Sequence, residues 1–350
     1  MMEAEATLPE TVPNISVVIP TFNRSADLID TIRSILNQDF QRIEVIIVDN
    51  GPSTDDTYKK IKLILDDPRV RYFRTHLQGV TFGRNLGNSL AKGTLIIQMD
   101  DDVTLIDPKT LGIVNSLFKN SSLDILGVME LKNEEDFEIF MLKEGVSGNW
   151  ICVDNVLADT GQIDFLYNIS TGYENFLRMP KGIYRIDSFR SCFLAYKSSV
   201  LSKIGNWDLN YISVGSKMGI REETDLLIRA KRKGLNIYYT NLTGIWHRAG
   251  KRDSSLTRRQ GGLGRVFYCA SAHSYMVVKD MIEQGRLWNM VKWLPFQLFW
   301  GAAKNPGMIT ALRQGGPLAC LMTFLGFWYG LMFGMFQERK LTLDVTEVIY

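Results

Sequence analysis

The first 130 residues alternate between short apolar runs and segments with helical periodicity. The apolar runs are rich in Ile, Val and Leu, which is typical of buried strands. Between them, apolar residues recur every three or four positions, as in amphipathic helices. Strands are predicted at 15–19, 43–48, 70–74, 95–99 and 123–129, and helices at 25–37, 54–65, 79–90 and 109–118. This alternation predicts an α/β fold with a doubly wound, mostly parallel central sheet and helices on both faces.

Polar residues directly follow three of these strands. Residues 20–23 follow the first strand, Asp49 ends the second, and Asp100, Asp101 and Asp102 follow the fourth. Right-handed crossovers bring these positions to one edge of the sheet, the edge where open α/β sheets bind ligands. Three adjacent carboxylates suit a divalent cation that also carries substrate phosphates, and Arg84 would suit a phosphate. For the aspartates alone, a solvated acidic turn is the alternative interpretation.

Composition narrows the possible functions. The net charge of +2 over 350 residues argues against nucleic-acid binding driven by bulk charge. The four cysteines are far apart and lack metal-ligand spacing, which indicates ordinary thiols in a reducing compartment. Neither of the two commonest phosphate-binding glycine loops is present, so a nicotinamide-dependent oxidoreductase is disfavoured. Residues 1–14 lack the features of a signal peptide and are expected to be disordered.

The second half contains a further acidic segment and a single histidine near a strand end. Residues 221–233 have helical spacing, which places Glu222, Asp225 and Arg229 on one side and Glu223 elsewhere. A salt-bridged first turn is the alternative to a catalytic role. His247 follows a predicted strand at 237–240 and is either structural or a ligand. Further strand structure is predicted at 183–196, and residues 130–180 are expected to face an acceptor.

The C-terminal part is apolar. Residues 287–303 have an interfacial helix pattern, and residues 317–336 form an uncharged run of about the 20 residues that a bilayer crossing needs. Glycines 326, 330 and 334 recur every fourth residue, a face that permits close helix packing. The alternatives are a span, a hairpin in one leaflet, or a buried helix or dimer interface of a soluble protein. The basic loop 251–259 would contact phosphate, solvent or anionic lipid.

Five segments resemble family 2 glycosyltransferases, which have the GT-A nucleotide-sugar fold. They are Ile-Ser-Val-Val-Ile-Pro-Thr-Phe-Asn-Arg at 15–24, Glu-Val-Ile-Ile-Val-Asp-Asn-Gly-Pro-Ser-Thr-Asp-Asp-Thr at 44–57, Gly-Arg-Asn-Leu-Gly at 83–87, Gln-Met-Asp-Asp-Asp at 98–102, and Gly-Asn-Trp-Asp at 205–208 followed by Glu-Glu-Thr-Asp-Leu-Leu-Ile-Arg at 222–229. Two positions depart from the family pattern: Asn50 stands where a second acid is usual, and Gly83 where Ala is common. The motif of processive polymerases is missing, which favours transfer of one sugar at a time.

The resemblance implies a role for individual residues. The implied nucleotide-sugar-binding residues are Pro20, Thr21, Asn23, Arg24, Asp49, Arg84, Asp100 and Asp101. The implied ligands of Mg²⁺ or Mn²⁺ are Asp102, Asp100 and His247, with Asp102 the principal one. Glu223 stands where the family places its catalytic base, and Glu222 competes for that role. Such a carboxylate takes the proton of the acceptor hydroxyl as its oxygen attacks the anomeric carbon.

These observations predict an inverting, metal-assisted glycosyltransferase on the cytoplasmic side of a membrane. It would move a sugar from a nucleotide-diphosphate donor to a hydroxyl of a lipid-linked or cell-surface glycan precursor. Homo-oligomers would form through Gly326, Gly330 and Gly334. The alternatives are a nucleotidyltransferase and a non-catalytic glycan-binding or scaffold protein of the same fold. The predicted units are a disordered arm at 1–14, a GT-A domain at 15–265 (nucleotide-sugar half 15–129, acceptor half 130–265), membrane-associated helices at 266–336 and a tail at 337–350.

Overall fold

A computed structural model describes most of the chain. The described residues are 12–343 without 63, 132–134, 137–150, 154–179, 190–191, 218, 249–261 and 303–304, together with 348–349. The arm up to residue 11, most of the segment expected to face the acceptor and the basic loop 251–259 therefore lie outside the described residues.

The first four strands form a parallel sheet in the order β3-β2-β1-β4. Each strand is followed along the chain by a helix or by the aspartate turn. The elements are β1 Ile15–Thr21, α1 Ser25–Leu36, β2 Ile43–Asn50, α2 Thr57–Ile61, β3 Val70–Thr75, α3 Val80–Leu90 and β4 Leu95–Met99. All residues of β1, β2 and β4 are buried, which explains why their sequences are predominantly apolar.

Beyond β4 the sheet becomes mixed, so it is mostly parallel only in its first part. Strand β9 lies between β4 and β6 and is antiparallel to both, and β10 is parallel to β6 but antiparallel to β5 and β8. The elements are β5 Val103–Leu105, α4 Thr110–Asn120, β6 Ile125–Leu131, β7 Ile151–Val153, β8 Gly182–Arg185, β9 Phe193–Lys197, α5 Ser199–Ile204, α6 Tyr211–Val214, α7 Glu222–Arg232 and β10 Ile237–His247.

Three predicted element bounds were wrong. The second helix is shorter than predicted, since Asp56 at its start has a left-handed backbone (φ 55°). The region 183–196, predicted as strand structure, contains two strands, Gly182–Arg185 and Phe193–Lys197. Strand β10 continues through to His247, with a register shift against β6 between Thr240 and Gly244. These bounds depend on backbone geometry and pairing that a local pattern does not contain.

Two hydrophobic clusters cover the two faces of the sheet. Val18, Ile46 and Ile96 lie in one cluster, with side chains of α3 and α7, while their neighbours along the strands lie in the other cluster with α1 and α4. Alternate strand residues thus point to opposite faces, and each face is closed by helices. This confirms the predicted α/β class.

The C-terminal helices form a third cluster against the rest of the protein. The elements are α8 Leu263–Glu283, a short 3-10 turn Leu287–Asn289, α9 Met290–Phe299, β11 Gly301–Ala302, β12 Asn305–Pro306, α10 Met308–Phe336 and β13 Val348–Ile349. Sequence periodicity did not identify α8, and the boundary expected between residues 265 and 266 falls in its first turn. The cluster joins side chains of α8, α9 and α10 to Tyr211, Val214 and Ile228.

Helix α10 packs against α8 through its glycines. A Cβ atom would lie 2.2 Å from the carbonyl oxygen of Phe267 at Gly326, and 1.9 Å from that of Ser271 at Gly330. The glycine face is therefore filled by a helix of the same chain. The expected homo-oligomer through Gly326, Gly330 and Gly334 is wrong, since this face is not available to a second copy.

Candidate active site

The predicted functional residues converge at one edge of the sheet. Asp100, Asp101 and Asp102 follow β4 directly, and His247 is the last residue of β10. Arg24 precedes α1, while Glu222 and Glu223 are the first two residues of α7. The edge formed by the carboxyl ends of the parallel strands thus carries residues from both halves of the chain, as the sequence predicted.

Asp101 holds the loop after β1. Its carboxylate accepts hydrogen bonds from Thr21 Oγ1 at 2.7 Å and from Arg24 Nη1 at 2.6 Å. Burial raises the pKa of Asp101 to about 7, although the charge of Arg24 acts in the opposite direction. The polar atoms that Asp101 and Thr21 were expected to offer to the nucleotide sugar are bonded to each other.

Asp102 lies between Arg24 and His247. Arg24 Nη2 donates to Asp102 Oδ2 at 2.7 Å, and His247 Nε2 lies 3.3 Å from Asp102 Oδ1. Burial acts to raise the pKa of Asp102, but His247 and Arg24 outweigh it and hold the pKa well below its usual range. Asp102 is fully buried, so its charge is set by these neighbouring side chains rather than by water.

Glu130 orients His247 from behind. The other ring nitrogen, His247 Nδ1, lies 2.6 Å from Glu130 Oε1. This contact directs Nε2 towards Asp102. Burial acts to lower the pKa of His247, but Asp102, Cys192 and Glu130 together raise it well above its usual range.

Among the described residues, two groups of side chains meet the distance requirement for a metal site. In one, Asp100, Asp102 and His247 bring one ligand atom each within 4.8 Å of the others. In the second, Glu130 and Cys192 replace the two aspartates. Asp102 Oδ1 and His247 Nε2 are buried and make no hydrogen bond to the described residues. The first group therefore joins the three metal ligands that the resemblance implied.

Arg84 connects the two acidic motifs. Its guanidinium lies 3.1 Å from Glu222, 3.4 Å from Glu223 and 3.4 Å from Asp100. The guanidinium carbon also stacks over the Trp207 ring, 4.4 Å from the ring centroid. Burial acts to lower the pKa of Arg84, and the carboxylates outweigh it and raise the pKa. The buried arginine thus remains charged.

Glu222 and Glu223 differ in exposure. The side chain of Glu222 is 6% exposed, whereas that of Glu223 is 20% exposed. The expectation that Glu223 points away from Glu222 was wrong, because both carboxylates contact Arg84. Asp225 and Arg229 do share one side of α7, with 2.9 Å between Asp225 Oδ2 and Arg229 Nε.

Asp49 is a buried carboxylate, and only one of its two oxygens is hydrogen-bonded to a described residue. Tyr72 donates to Asp49 Oδ2 at 2.5 Å, and Arg74 Nε lies 3.8 Å from the same oxygen. Asp49 Oδ1 is buried without a hydrogen-bond partner among the described residues. Burial raises the pKa of Asp49. The free oxygen is suited to accept a hydrogen bond from a ligand.

Both departures from the family pattern have a structural reason. The Asn50 side chain donates to the carbonyl oxygen of Gly79 at 2.7 Å and accepts from its N–H at 3.2 Å. A Cβ at Gly83 would lie 2.9 Å from Pro20 Cβ, so α3 packs closely on β1. Asn50 therefore holds the start of α3, and its amide group is occupied.

Asn23 joins two of the loops at this edge. Its side-chain oxygen accepts from Ser53 Oγ at 2.9 Å and from the Thr54 N–H at 2.7 Å. Its backbone is left-handed, with φ of 52°, a conformation that asparagine tolerates better than most residues. Asn23 thus positions the loops on which the other residues depend.

Sequence reasoning missed three residues of this site: Glu130, Cys192 and Trp207. Glu130 follows an apolar strand run directly, which is the same signal that identified Asp49. Trp207 lies within a motif already noted, but only the structure shows that it stacks on Arg84. No local pattern identifies Cys192.

The sequence profile of glycosyl transferase family 2 matches residues 16–198, slightly more than half of the chain. The chain belongs to this family. Among its relatives is the GalNAc(5)-diNAcBac-PP-undecaprenol beta-1,3-glucosyltransferase of Campylobacter jejuni, 40% identical over 97 residues. That match covers 27% of this chain and 31% of the relative. The putative colanic acid biosynthesis glycosyl transferase WcaA of Escherichia coli is 36% identical over 91 residues, 26% of this chain and 33% of the relative.

The chain thus spans about a third of the length of these two family 2 relatives. The fold is shared more widely. The crystal structure of GalNAc-T7 with UDP, GalNAc and Mn2+ superposes with a TM-score of 0.51 at 13% identity, covering 82% of this chain and 57% of that one. The similarity confirms the GT-A fold for this member of the family.

Proposed function

We propose that this family 2 protein is an inverting glycosyltransferase that uses a nucleotide-diphosphate-sugar donor. The observation that carries the proposal is the position of Arg84, whose guanidinium lies within 3.4 Å of Asp100 and of both candidate bases. A metal-side carboxylate and a base-side carboxylate are thereby held at one edge of the sheet. A scaffold protein has no need for this arrangement of buried charges, which is costly unless it is paired.

The donor nucleotide would bind at the ends of β1, β2 and β4. Asp49 Oδ1, buried and without a partner among the described residues, would accept a hydrogen bond from the base. Pro20, Thr21, Asn23, Arg24 and Asp101 would shape the loop beneath the nucleotide rather than supply most of its polar contacts. Arg84 and Asp100 would face the diphosphate and sugar. This arrangement supports residues 15–129 as the nucleotide-sugar half and 130–265 as the acceptor half.

A divalent cation, Mg²⁺ or Mn²⁺, fits the group formed by Asp102, Asp100 and His247. Two of its ligand atoms, Asp102 Oδ1 and His247 Nε2, are buried without hydrogen bonds to the described residues, and carboxylate oxygens suit both ions. When bound, such a cation neutralises the charge that develops on the leaving diphosphate. Glu130 would hold the His247 ring in place.

Glu223 would act as the catalytic base. As the acceptor oxygen forms its bond to the anomeric carbon, the bond from that carbon to the diphosphate breaks and the hydroxyl proton moves to the carboxylate of Glu223. Attack opposite the leaving group inverts the anomeric configuration. Glu223 suits this role better than Glu222 because its side chain is more exposed, 20% against 6%. Glu222 would hold Arg84 in place.

The acceptor would be a hydroxyl of a lipid-linked or cell-surface glycan precursor, on the cytoplasmic side of a membrane. Support comes from a relative whose name specifies an undecaprenol-linked acceptor, and from α10, the one helix among the described residues long and apolar enough to cross a membrane. Together they make a lipid-linked acceptor more plausible than a soluble one.

Calorimetric titration with UDP, GDP, dTDP and CMP, each with and without Mn²⁺, tests the donor site. We expect one nucleotide to bind, and to bind at least tenfold more tightly with the metal present. Asp66→Ala, an exposed site on the turn after α2, serves as the control variant and should bind like the wild type. If no nucleotide binds the folded protein under any of these conditions, the proposal is wrong.

A further inference from the structure

Helix α10 meets the length and hydropathy requirement for a membrane span. Part of its length, however, packs against another helix of the same chain. The three glycines meet α8 at a constant offset: Gly326 faces Phe267, Gly330 faces Ser271 and Gly334 faces Tyr275. The two helices are therefore parallel and in contact over residues 326–334 of α10.

The stretch of α8 beside these glycines is packed on the catalytic domain, by which we mean the part of the chain from β1 to β10 that carries the candidate active site. Tyr275 donates to Asp208 at 2.6 Å, and Asp280 pairs with Arg232 of α7 at 2.8 Å. Every residue of α8 from Ala270 to Met281 is buried. A helix bonded in this way to a water-soluble domain does not lie in the hydrocarbon core of a bilayer.

The end of α10 is also fixed to the catalytic domain. Lys279 of α8 donates to the Gln337 carbonyl at 2.9 Å, and Arg339 pairs with Asp225 of α7 at 2.6 Å and with Asp208 at 3.2 Å. The segment directly after the helix is thus bonded to the helix that carries Glu223.

The remaining length of α10 is too short for a crossing. The backbone of α10 is broken at Gly316 (φ 77°, ψ −171°), and residues 317–325 beyond the contact with α8 rise about 13 Å as an α-helix. The hydrocarbon core of a bilayer is about 30 Å thick. This segment is less than half as long as a crossing requires.

The outer surface of the C-terminal helices is apolar. Among the described residues, fourteen of the seventeen exposed large apolar side chains lie between Leu287 and Phe336. Trp288 is the most exposed of them at 83%, and Phe336 is 75% exposed. Such a concentration of exposed apolar side chains, unlike solitary ones, marks an interaction surface.

The charge around this surface has one sign. No Asp or Glu occurs between Glu283 and Glu338, whereas Arg286, Lys292, Lys304 and Arg313 do. Arg286 and Arg313 are exposed in the structure. Apolar and aromatic side chains with only cations among them match the boundary of an anionic leaflet, where headgroups are negative and acyl chains lie beneath.

We infer that α9 and α10 form a one-sided docking surface for an anionic lipid leaflet, with α10 lying along that leaflet without crossing the bilayer. The inference rests on the membrane location within the proposed function. It adds that Arg313 and Glu338, near the two ends of α10, lie on the same side of the bilayer as the candidate active site, which the bonds of Arg339 and α8 hold at the lipid surface. A lipid-linked acceptor would then reach the site from the same leaflet.

Site-specific labelling distinguishes docking from crossing. In inside-out membrane vesicles, a membrane-impermeant maleimide is applied to Arg313→Cys and, separately, to Glu338→Cys, and peptide mapping identifies the labelled site. Both positions are exposed near opposite ends of α10. We expect both to be labelled without detergent. Labelling of position 338 alone, with position 313 labelled only after detergent is added, would show a crossing and overturn the inference.

Vesicle flotation tests the lipid charge. The purified protein should float with phosphatidylglycerol-containing vesicles and should bind pure phosphatidylcholine much more weakly. Arg286→Gln with Arg313→Gln should reduce binding by roughly fivefold for each cation removed, whereas Lys119→Gln, an exposed cation on α4, should not. A wild-type protein that does not float with these vesicles would overturn the inference. So would a dimer, detected by light scattering, that buries this surface. Nucleotide binding on the same preparation reports independently on the proposed transferase activity.

Discussion

At the scale of single residues, the candidate active site contains more carboxylates than cations, so each arginine pairs with several carboxylates. Arg84 serves three carboxylates, and Arg24 serves Asp101 and Asp102 with bonds of 2.6 and 2.7 Å. The contacts of Arg84 to Glu223 and Asp100 are the longest of these, at 3.4 Å. These two carboxylates are the ones proposed to face the substrate.

Glu223→Gln is predicted to lose turnover and keep donor affinity. The amide cannot accept the acceptor proton, so turnover should fall by about 10²- to 10⁴-fold, while its similar size preserves packing against Arg84. Initial rates of sugar transfer and nucleotide titration measure the two effects. Glu222→Gln is the matched variant, and if it instead removes turnover at unchanged affinity, the assignment of the base is reversed.

Asp102→Ala is predicted to remove the metal dependence of nucleotide binding. Asp102 is the fully buried member of the candidate metal group, and Arg24 keeps its bond to Asp101 in the variant. Titration of Mn²⁺ with nucleotide present should show no saturable effect, and circular dichroism should confirm that the variant is folded. Wild-type metal dependence in this variant would contradict the role given to Asp102.

At the scale of elements, the contact between α8 and α10 fixes how the C-terminal helices sit on the catalytic domain. The glycines of α10 let its backbone approach the carbonyl oxygens of α8, and Phe327 and Trp293 stack beside them with ring centroids 5.6 Å apart. The fit depends on having no side chain at these positions, because backbone on the facing helix cannot move aside.

Gly330→Ala is predicted to destabilise the protein by about 1–3 kcal/mol, because the added methyl group would overpack against the Ser271 carbonyl. Gly112→Ala is the matched control. It also lies within a helix, nothing lies within 4 Å of its added Cβ, and the change should stabilise by about 0.4–1 kcal/mol. Thermal unfolding of both variants provides the comparison. Equal stability would show that the two helices do not pack as described.

The sequence predicted those elements whose pattern is local. The strands β1, β2 and β4 are mostly apolar because both faces of the sheet are covered, so their existence and their order along the chain followed from the pattern. Helix α8 was not identified. Its polar residues His273, Lys279 and Asp280 are buried against other elements, which breaks the usual division into an apolar and a polar face.

The same distinction holds for the site. Asp100, Asp102, Glu223 and Arg84 were identified because they stand in recognisable motifs at strand or helix ends. The contacts between these residues were not predicted, because Arg84 and Glu222 are 138 positions apart along the chain. Likewise, the glycines of α10 have the spacing of a helix-packing face, and the spacing alone does not say whether the partner helix belongs to the same chain.

At the scale of the whole molecule, the catalytic domain and the C-terminal helices share buried ionisable groups. His273 of α8 is 1% exposed. Burial, together with the charge of Arg221 just before α7, lowers the pKa of His273 to about 3. The interface between the two parts therefore requires a neutral histidine.

Acidification is predicted to weaken this interface. The unfolded chain binds a proton at His273 below about pH 6.5 and the folded chain does not until about pH 3. His273 therefore lowers the free energy of unfolding progressively as the pH falls between these values, by at most about 1.4 kcal/mol per pH unit. Denaturant unfolding from pH 7 to pH 4 should show a shallower loss in His273→Phe than in the wild type. Parallel curves would contradict the burial of a neutral His273.

The stacking of Arg84 on Trp207 makes the fluorescence of this tryptophan a probe of the candidate active site. An indole ring 4.4 Å from a guanidinium senses every change in the charge around that cation, and Trp207 is itself fully buried from water. Binding of the proposed donor near Asp100 would change that charge, so we expect the ultraviolet emission of Trp207 to shift with occupancy. The difference between the spectra of the wild type and Trp207→Phe isolates this signal from the other six tryptophans of the chain.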